Sequence, residues 1–129
     1  MNIYMDQRFH KAYRLCGVKT ILALMQEPVT LKQYPFLLKK RDAFEPTETY
    51  AQWVLVVPKK RFRHANVRNG IRRKMRECIR KNQHDLMNHL AAEQKWMQFA
   101  LYYIGPEDPT SLWLEKKTKE LMEKIPTIL

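Results

Sequence analysis

The sequence predicts an α+β domain, a two-layer α/β sandwich in which helices pack on a small sheet. Three observations carry that class. Segments near the start, middle and end repeat apolar residues at spacings of three and four, the helical period. Short runs rich in aromatic, Val and Leu residues lie between them, as strands do. No repeat, low-complexity tract or Gly/Ser linker divides the 129 residues, so one domain spanning 1–129 is expected. Alternating strands and helices of this kind bury their apolar faces by stacking helices on a sheet.

The first helix is expected over roughly 7–26, with Leu15, Val18, Ile21, Leu22 and Met25 as its apolar set and Pro28 as its stop. YPFLLKK at 34–40 reads as a strand, with room for a further short strand near 29–32. RDAFEPTET at 41–49 is turn material. YAQWVLVVPKK at 50–60 follows, and its WVLVV run predicts burial on both faces, as in a central strand. A long helix is expected over about 65–91. At about 100° per residue, Ile71, Met75, Cys78, Ile79, Leu86 and Leu90 gather on one side of it. Arg72, Arg73, Arg76 and Arg80 gather on the adjoining side. KWMQFALYYIG at 95–105 is the next strand. A closing helix over 110–124 has Asp108 or Ser111 as its candidate cap, with Leu114, Leu121 and Ile125 inward.

Charge supplies the strongest functional signal. Residues 59–81 hold eleven basic side chains against one acid, Glu77, in a chain whose net charge is +11. The remaining residues are close to neutral. No acid at all occurs from 59 to 76, whereas the last helix mixes Glu115, Glu120 and Glu123 with its lysines. Self-repulsion on that scale needs an external anion to offset it. Arginine predominates, and its planar fork suits phosphate oxygens. Asn69 adds a neutral group able to read a sugar hydroxyl or base edge, and the helix N-terminus near 65–69 offers N–H groups to a phosphate. Nucleic acid is the expected partner. A DNA-reading helix-turn-helix is disfavoured, because the residues before the basic helix read as a strand.

Other functions find little support. The thirteen acids are scattered, and none forms a pair within an apolar run as two-metal nucleases require. His10, His64, His84 and His89 lack metal-ligand spacing, and Asp85 with His89 reads as a surface contact. No catalytic side chain and no protein-bound metal are expected. Trp53, Trp96 and Trp113 read as core residues rather than stacking platforms. Cys16 and Cys78 have no disulfide spacing and read as two reduced thiols. The N-terminus carries charge where a signal peptide is apolar, and VLVV at 54–57 is the longest aliphatic run. A soluble, cytoplasmic protein without membrane contact is expected.

The run VPKKRFRHANVRNGIRRKMREC resembles the signature of the bacterial ribonuclease P protein component: two lysines leaving a strand, a short basic connection, then an Arg-Asn-Arg core on a helix. Arg14-Leu15 is similar to the opening of that family's first helix, and Tyr34-Pro35-Phe36 to its first sheet residues. The resemblance spans about 14–125 and is strongest over 54–80. It implies an α-β-β-β-α-β-α order with a mostly antiparallel four-stranded sheet. It implies a protein subunit of the endoribonuclease that removes the 5′ leader of precursor tRNA, with hydrolysis carried out by a catalytic RNA using Mg²⁺ held by RNA and substrate. By family position, RNA docking falls to Lys59, Lys60, Arg61, Arg63, Arg68, Asn69, Arg72, Arg73, Arg76 and Arg80. The leader cleft falls to Ile21, Met25, Phe36, Lys39 and Lys60. A core position is the competing reading for Phe36, since strand parity is open. Two departures stand out. Gly70 occupies the place of the motif's second arginine, and Ile21 and Met25 stand where the family commonly has aromatic rings. A ribosomal or other structural RNA-binding protein is the alternative reading of the same charge.

Overall fold

The computed structural model describes residues 18–43 and 45–129. The expected helix start at residue 7, the Arg14-Leu15 pair and Cys16 lie outside the described residues. In chain order the elements are α1 (Val18–Met25), β1 (Leu31–Gln33), β2 (Phe36–Asp42), β3 (Ala51–Val56), α2 (Ala65–Asn82), α3 (His84–Glu93), β4 (Met97–Tyr103) and α4 (Ser111–Lys124). A 3-10 turn, Ile125–Ile128, follows α4.

The four strands form one sheet in the order β1-β2-β4-β3. β2 runs antiparallel to both β1 and β4, with Phe36 opposite Tyr103 and Asp42 opposite Met97. β3 runs parallel to β4, with Trp53 opposite Phe99. The crossover through α2 and α3 makes this parallel pairing possible, since a tight hairpin joins only antiparallel neighbours. The sheet is therefore mixed and mostly antiparallel, as expected.

The WVLVV segment is not central. β3 lies at the sheet edge, and only Ala51 and Trp53 within it are fully buried. β4 takes the centre, with every residue buried except Tyr102. A continuous apolar run marks burial, but strand neighbours are set by long-range pairing that the run does not encode.

Strand alternation divides the side chains between two faces. On one face Phe36, Leu38, Trp53, Phe99, Leu101 and Tyr103 meet Ile71, Met75, Cys78 and Ile79 of α2, Leu86 and Leu90 of α3, and Leu114 and Leu121 of α4. Trp53 stacks on Phe99 with ring centroids 4.7 Å apart. On the other face Leu24 of α1 packs on Ala100, with Ile21, Met25, Val54 and Tyr102 around them. The register of α1 differs from expectation: Leu24 is its fully buried residue, while Leu22 is exposed.

The long helix expected over 65–91 is interrupted at Gln83. Asn82 Nδ2 donates to the Cys78 carbonyl at 2.7 Å, a side-chain bond that competes with helix continuation. Buried Gln83 turns inward, and its Oε1 accepts a 3.1 Å hydrogen bond from Trp53 Nε1. α3 ends at Gln94, whose left-handed φ of 54° and the Lys95 N–H bond to the Leu90 carbonyl close the last turn. The cap of α4 is neither Asp108 nor Ser111. Thr110 accepts from the Trp113 N–H at 3.2 Å.

Candidate nucleic-acid interface

The basic surface begins where β3 ends. Val57 is buried, and the N–H groups of Arg61 and Phe62 both donate to the Pro58 carbonyl, turning the chain sharply. Lys59, Lys60 and Arg61 are all exposed on that turn. Phe62 is the anchor: it is 2% exposed and lies against the Tyr103 ring at 5.8 Å. One aromatic side chain thus fixes a loop otherwise made of cations.

Arg68 then reaches back from the first turn of α2. Its Nη1 donates to the carbonyls of Phe62 at 2.8 Å and Arg63 at 2.9 Å. Those carbonyls belong to a loop outside any ladder, so the guanidinium satisfies groups that would otherwise rely on water. The expected RNA contact Arg68 is therefore also the brace that joins loop to helix. Lys74 braces the other flank, donating to the Pro109 carbonyl at 2.8 Å.

Farther along α2 the cations fall into two sets. Arg72 Nη1 donates to Asn69 Oδ1 at 3.0 Å, and Arg73 is exposed. Among the described residues, no carboxylate lies within ion-pair distance of Arg61, Arg63, Arg68, Arg72, Arg73 or Arg76. Arg80 differs. Its guanidinium takes both oxygens of Glu77, with Nε to Oε2 at 3.0 Å, and Lys81 approaches the same carboxylate at 3.9 Å. The Arg80 hydrogen bond holds the Glu77 carboxyl below its usual range. Arg80 is thus partly neutralised within the chain, and the uncompensated surface is residues 59–76.

The start of α2 has no internal compensation either. His64 occupies the N-cap without a side-chain cap bond, and the first turn contains no acid. Gly70 is not demanded by packing, because nothing lies within 4 Å of where its Cβ would be.

The residues assigned to a leader cleft divide. Ile21, Met25 and Lys39 do come together on the α1 face of the sheet. Lys39 Nζ donates to the Met25 carbonyl at 2.5 Å, near the C-terminal end of α1, and lies 5.2 Å from the centroid of the Tyr102 ring. Tyr102 donates its hydroxyl to Met25 Sδ. Sequence reasoning missed Tyr102, although its place between inward-facing Leu101 and Tyr103 is the alternation that would reveal it. Lys60 stands on the basic turn rather than within this group. Phe36 needs correction as a cleft wall. It is 1% exposed, on the opposite face of the sheet, edge-on to Tyr103 at 6.3 Å. Its parity along β2 matches Leu38 and not Lys39, so it is closed into the core.

Among the described residues, no group of three or more His, Cys, Asp or Glu is gathered to hold a metal ion. Cys78 is a buried free thiol, and burial pushes its ionisation up. No described helix is long and apolar enough to cross a membrane.

Comparison with known proteins agrees with this geometry. The ribonuclease P family model matches residues 9–125. The chain belongs to the ribonuclease P protein family. The ribonuclease P protein component of Porphyromonas gingivalis is 30% identical over 92 residues, covering 71% of this chain and 67% of that protein. The RNase P protein from Thermotoga maritima shares the fold with a TM-score of 0.65 at 20% identity, covering 87% of this chain and 96% of that one. A Staphylococcus aureus RNase P protein mutant superposes over the full length of both chains, with a TM-score of 0.67 at 19% identity. Family membership makes the protein a subunit of ribonuclease P, the endoribonuclease holoenzyme of tRNA processing, and implies association with RNase P RNA.

Proposed function

We propose that residues 59–76 dock the protein on the catalytic RNA subunit, and that the α1 face of the sheet receives the 5′ leader of precursor tRNA. The observation that carries docking is the absence, among the described residues, of any carboxylate within ion-pair distance of Arg61, Arg63, Arg68, Arg72, Arg73 and Arg76 on a braced loop and helix. Lys59, Lys60, Arg61 and Arg63 present the loop, while Asn69, Arg72, Arg73 and Arg76 present the helix. Arg68 acts mainly by holding these two parts together, and Arg80 contributes less because Glu77 already occupies it. On the α1 face, Ile21 and Met25 supply apolar walls, Tyr102 an aromatic ring and Lys39 a cation.

In this reading, which rests on family membership, Mg²⁺ is held by RNA and substrate. The protein side chains bind and orient, and they do not carry out hydrolysis. Action in the cytoplasm, where precursor tRNA is found, belongs to the same reading.

Reconstitution with the cognate RNA subunit and a 5′-extended tRNA tests it. The protein should lower the Mg²⁺ requirement for cleavage and sharpen preference for precursor over mature tRNA. Binding to the RNA subunit should weaken steeply with salt as phosphates are neutralised. No change in either cleavage property would leave the structural-RNA alternative.

A further inference from the structure

At the sheet end from which the basic loop emerges, Tyr34 meets Trp113 in a corner at the rim of the core, and Leu112, next to Trp113 in the chain, is exposed. Tyr34, in the β1–β2 turn, is 57% exposed, and Leu112, in the first turn of α4, is 81% exposed. Trp113 beside it is half-buried and meets Tyr34 edge-on, with centroids 6.3 Å apart and planes at 67°. Trp113 packs against the core, as its sequence context suggests, but at the core's edge, where part of it stays exposed.

The corner is rigid. The Ile104 N–H donates to the Pro35 carbonyl at 2.8 Å, tying the β1–β2 turn to the end of β4. Tyr103 donates its hydroxyl to the Pro106 carbonyl at 2.7 Å, closing the loop towards α4. A Cβ on Gly105 would come within 2.7 Å of both Pro35 and the Tyr103 ring, so only glycine permits this approach. Exposed rings held this way lose little freedom on binding.

Cations flank the corner on two sides. Phe62 of the basic loop lies 5.8 Å from the Tyr103 ring, and Pro35, next to Tyr34, approaches the hydroxyl end of that ring at Gly105, so the exposed ring and the basic loop flank one buried side chain. On the other side, Ser111 lines a groove of about 390 Å³ with Arg73, Lys74 and Lys81 of α2, alongside the carboxylates Glu77 and Glu115. The Lys74 ammonium is bonded to the Pro109 carbonyl, just before α4. Rings between cationic surfaces are the arrangement by which proteins hold unpaired nucleotides, the cations taking phosphates and the rings taking bases.

We propose that Tyr34, with Leu112 and Trp113, forms a stacking platform for an unpaired base of the catalytic RNA subunit, extending the interface of residues 59–76 onto the β1–β2 turn and α4. This rests on the docking reading above. The RNA subunit is the occupant because the platform is continuous with the loop and helix that dock it. Trp113 packs against the core on the α4 side of the sheet, away from the α1 face assigned to the leader.

The test measures affinity of the full-length protein for the RNA subunit as a function of salt. Tyr34→Ala should weaken binding roughly five- to 150-fold, the range for losing one aromatic–base stack. The salt slope should stay unchanged, because every phosphate keeps its cation. Tyr34→Phe and Tyr34→Trp should restore binding, and Leu112→Asp should weaken it. A benzophenone carried in place of the Tyr34 side chain should crosslink to the RNA subunit in the holoenzyme. Wild-type affinity in Tyr34→Ala overturns the platform while leaving the docking reading intact, and so does crosslinking only to precursor tRNA or to a second copy of the chain. Failure of the unaltered protein to bind the RNA subunit overturns both. Unchanged thermal melting of Tyr34→Ala separates loss of stacking from loss of fold.

Discussion

α2, rich in arginine, and α4, whose cations are all lysines, pack against each other over the same core, yet they manage charge in opposite ways. α4 opens with a threonine cap and pairs two of its four lysines internally: Lys117 lies 3.5 Å from Glu120, and Lys119 lies 4.0 Å from Glu115. α2 opens on an uncapped His64, places cations where the helix dipole is already positive, and meets its first acid only at Glu77. Exposed pairs such as those of α4 contribute at most about 1 kcal/mol each. Their importance is that they leave no net field. The first three turns of α2 keep theirs, at some cost to helix stability, a cost that RNA would offset in the proposed docking. In the proposed docking, positive charge marks the interface only where it lacks an internal counterpart.

The contrast can be broken most directly by neutralising each helix in turn. Replacing Arg72, Arg73 and Arg76 together with Ala should weaken binding to the RNA subunit by about 100-fold or more, from the loss of several charge-assisted bonds. The slope of log affinity against log salt should fall by roughly 0.7–0.9 for each phosphate no longer neutralised. Lys116→Ala with Lys117→Ala on α4 should change affinity less than about twofold. Equal losses on both helices would defeat the distinction.

Arg68→Ala separates bracing from docking. Removing its two hydrogen bonds to the loop carbonyls should cost about 1–3 kcal/mol in chemical denaturation. It should also weaken RNA binding, since the loop cations lose their fixed position. Arg73→Ala, by contrast, should weaken binding without lowering stability.

A smaller effect carries an informative sign. His64→Asp supplies the missing cap and an acid at the helix N-terminus, and should stabilise the free protein by about 0.5–2 kcal/mol. The same change should weaken RNA binding, because it places negative charge beside the phosphate-facing end. If both stability and affinity rise, the uncapped start is not a concession to binding. Thr110→Ala on α4 should lower stability by about 1 kcal/mol and leave affinity unchanged.

Gly70→Ala should stabilise by up to about 1 kcal/mol, since nothing crowds the new methyl group. Gly70→Arg, restoring the motif's second arginine, should tighten RNA binding and steepen its salt dependence.

The smallest expected effect lies at alkaline pH. Burial raises the ionisation of both the Cys78 thiol and the Tyr103 hydroxyl, so the folded state holds their protons more tightly than the unfolded chain does. That stabilisation is fully present below the ordinary thiol value of 9.0 and should be lost progressively as pH rises above it. Melting temperature against pH checks the direction.

The amino-acid order by itself determined the features that depend on near neighbours. Ile71, Met75, Cys78 and Ile79 share one helix face through the 3.6-residue period alone, and all four are buried. The acid-free run at 59–76 is a local count, so the basic surface was legible before any packing was known. Tertiary structure decided what depends on distant partners. It placed β4 rather than β3 at the sheet centre and turned Phe36 into the core. It gave Arg68 to the loop carbonyls and Arg80 to Glu77, and brought Tyr34 against Trp113. Strand order and parity arise from hydrogen bonds between segments up to 67 residues apart, as where Phe36 pairs with Tyr103, and a single chain segment carries no record of which neighbour it will meet.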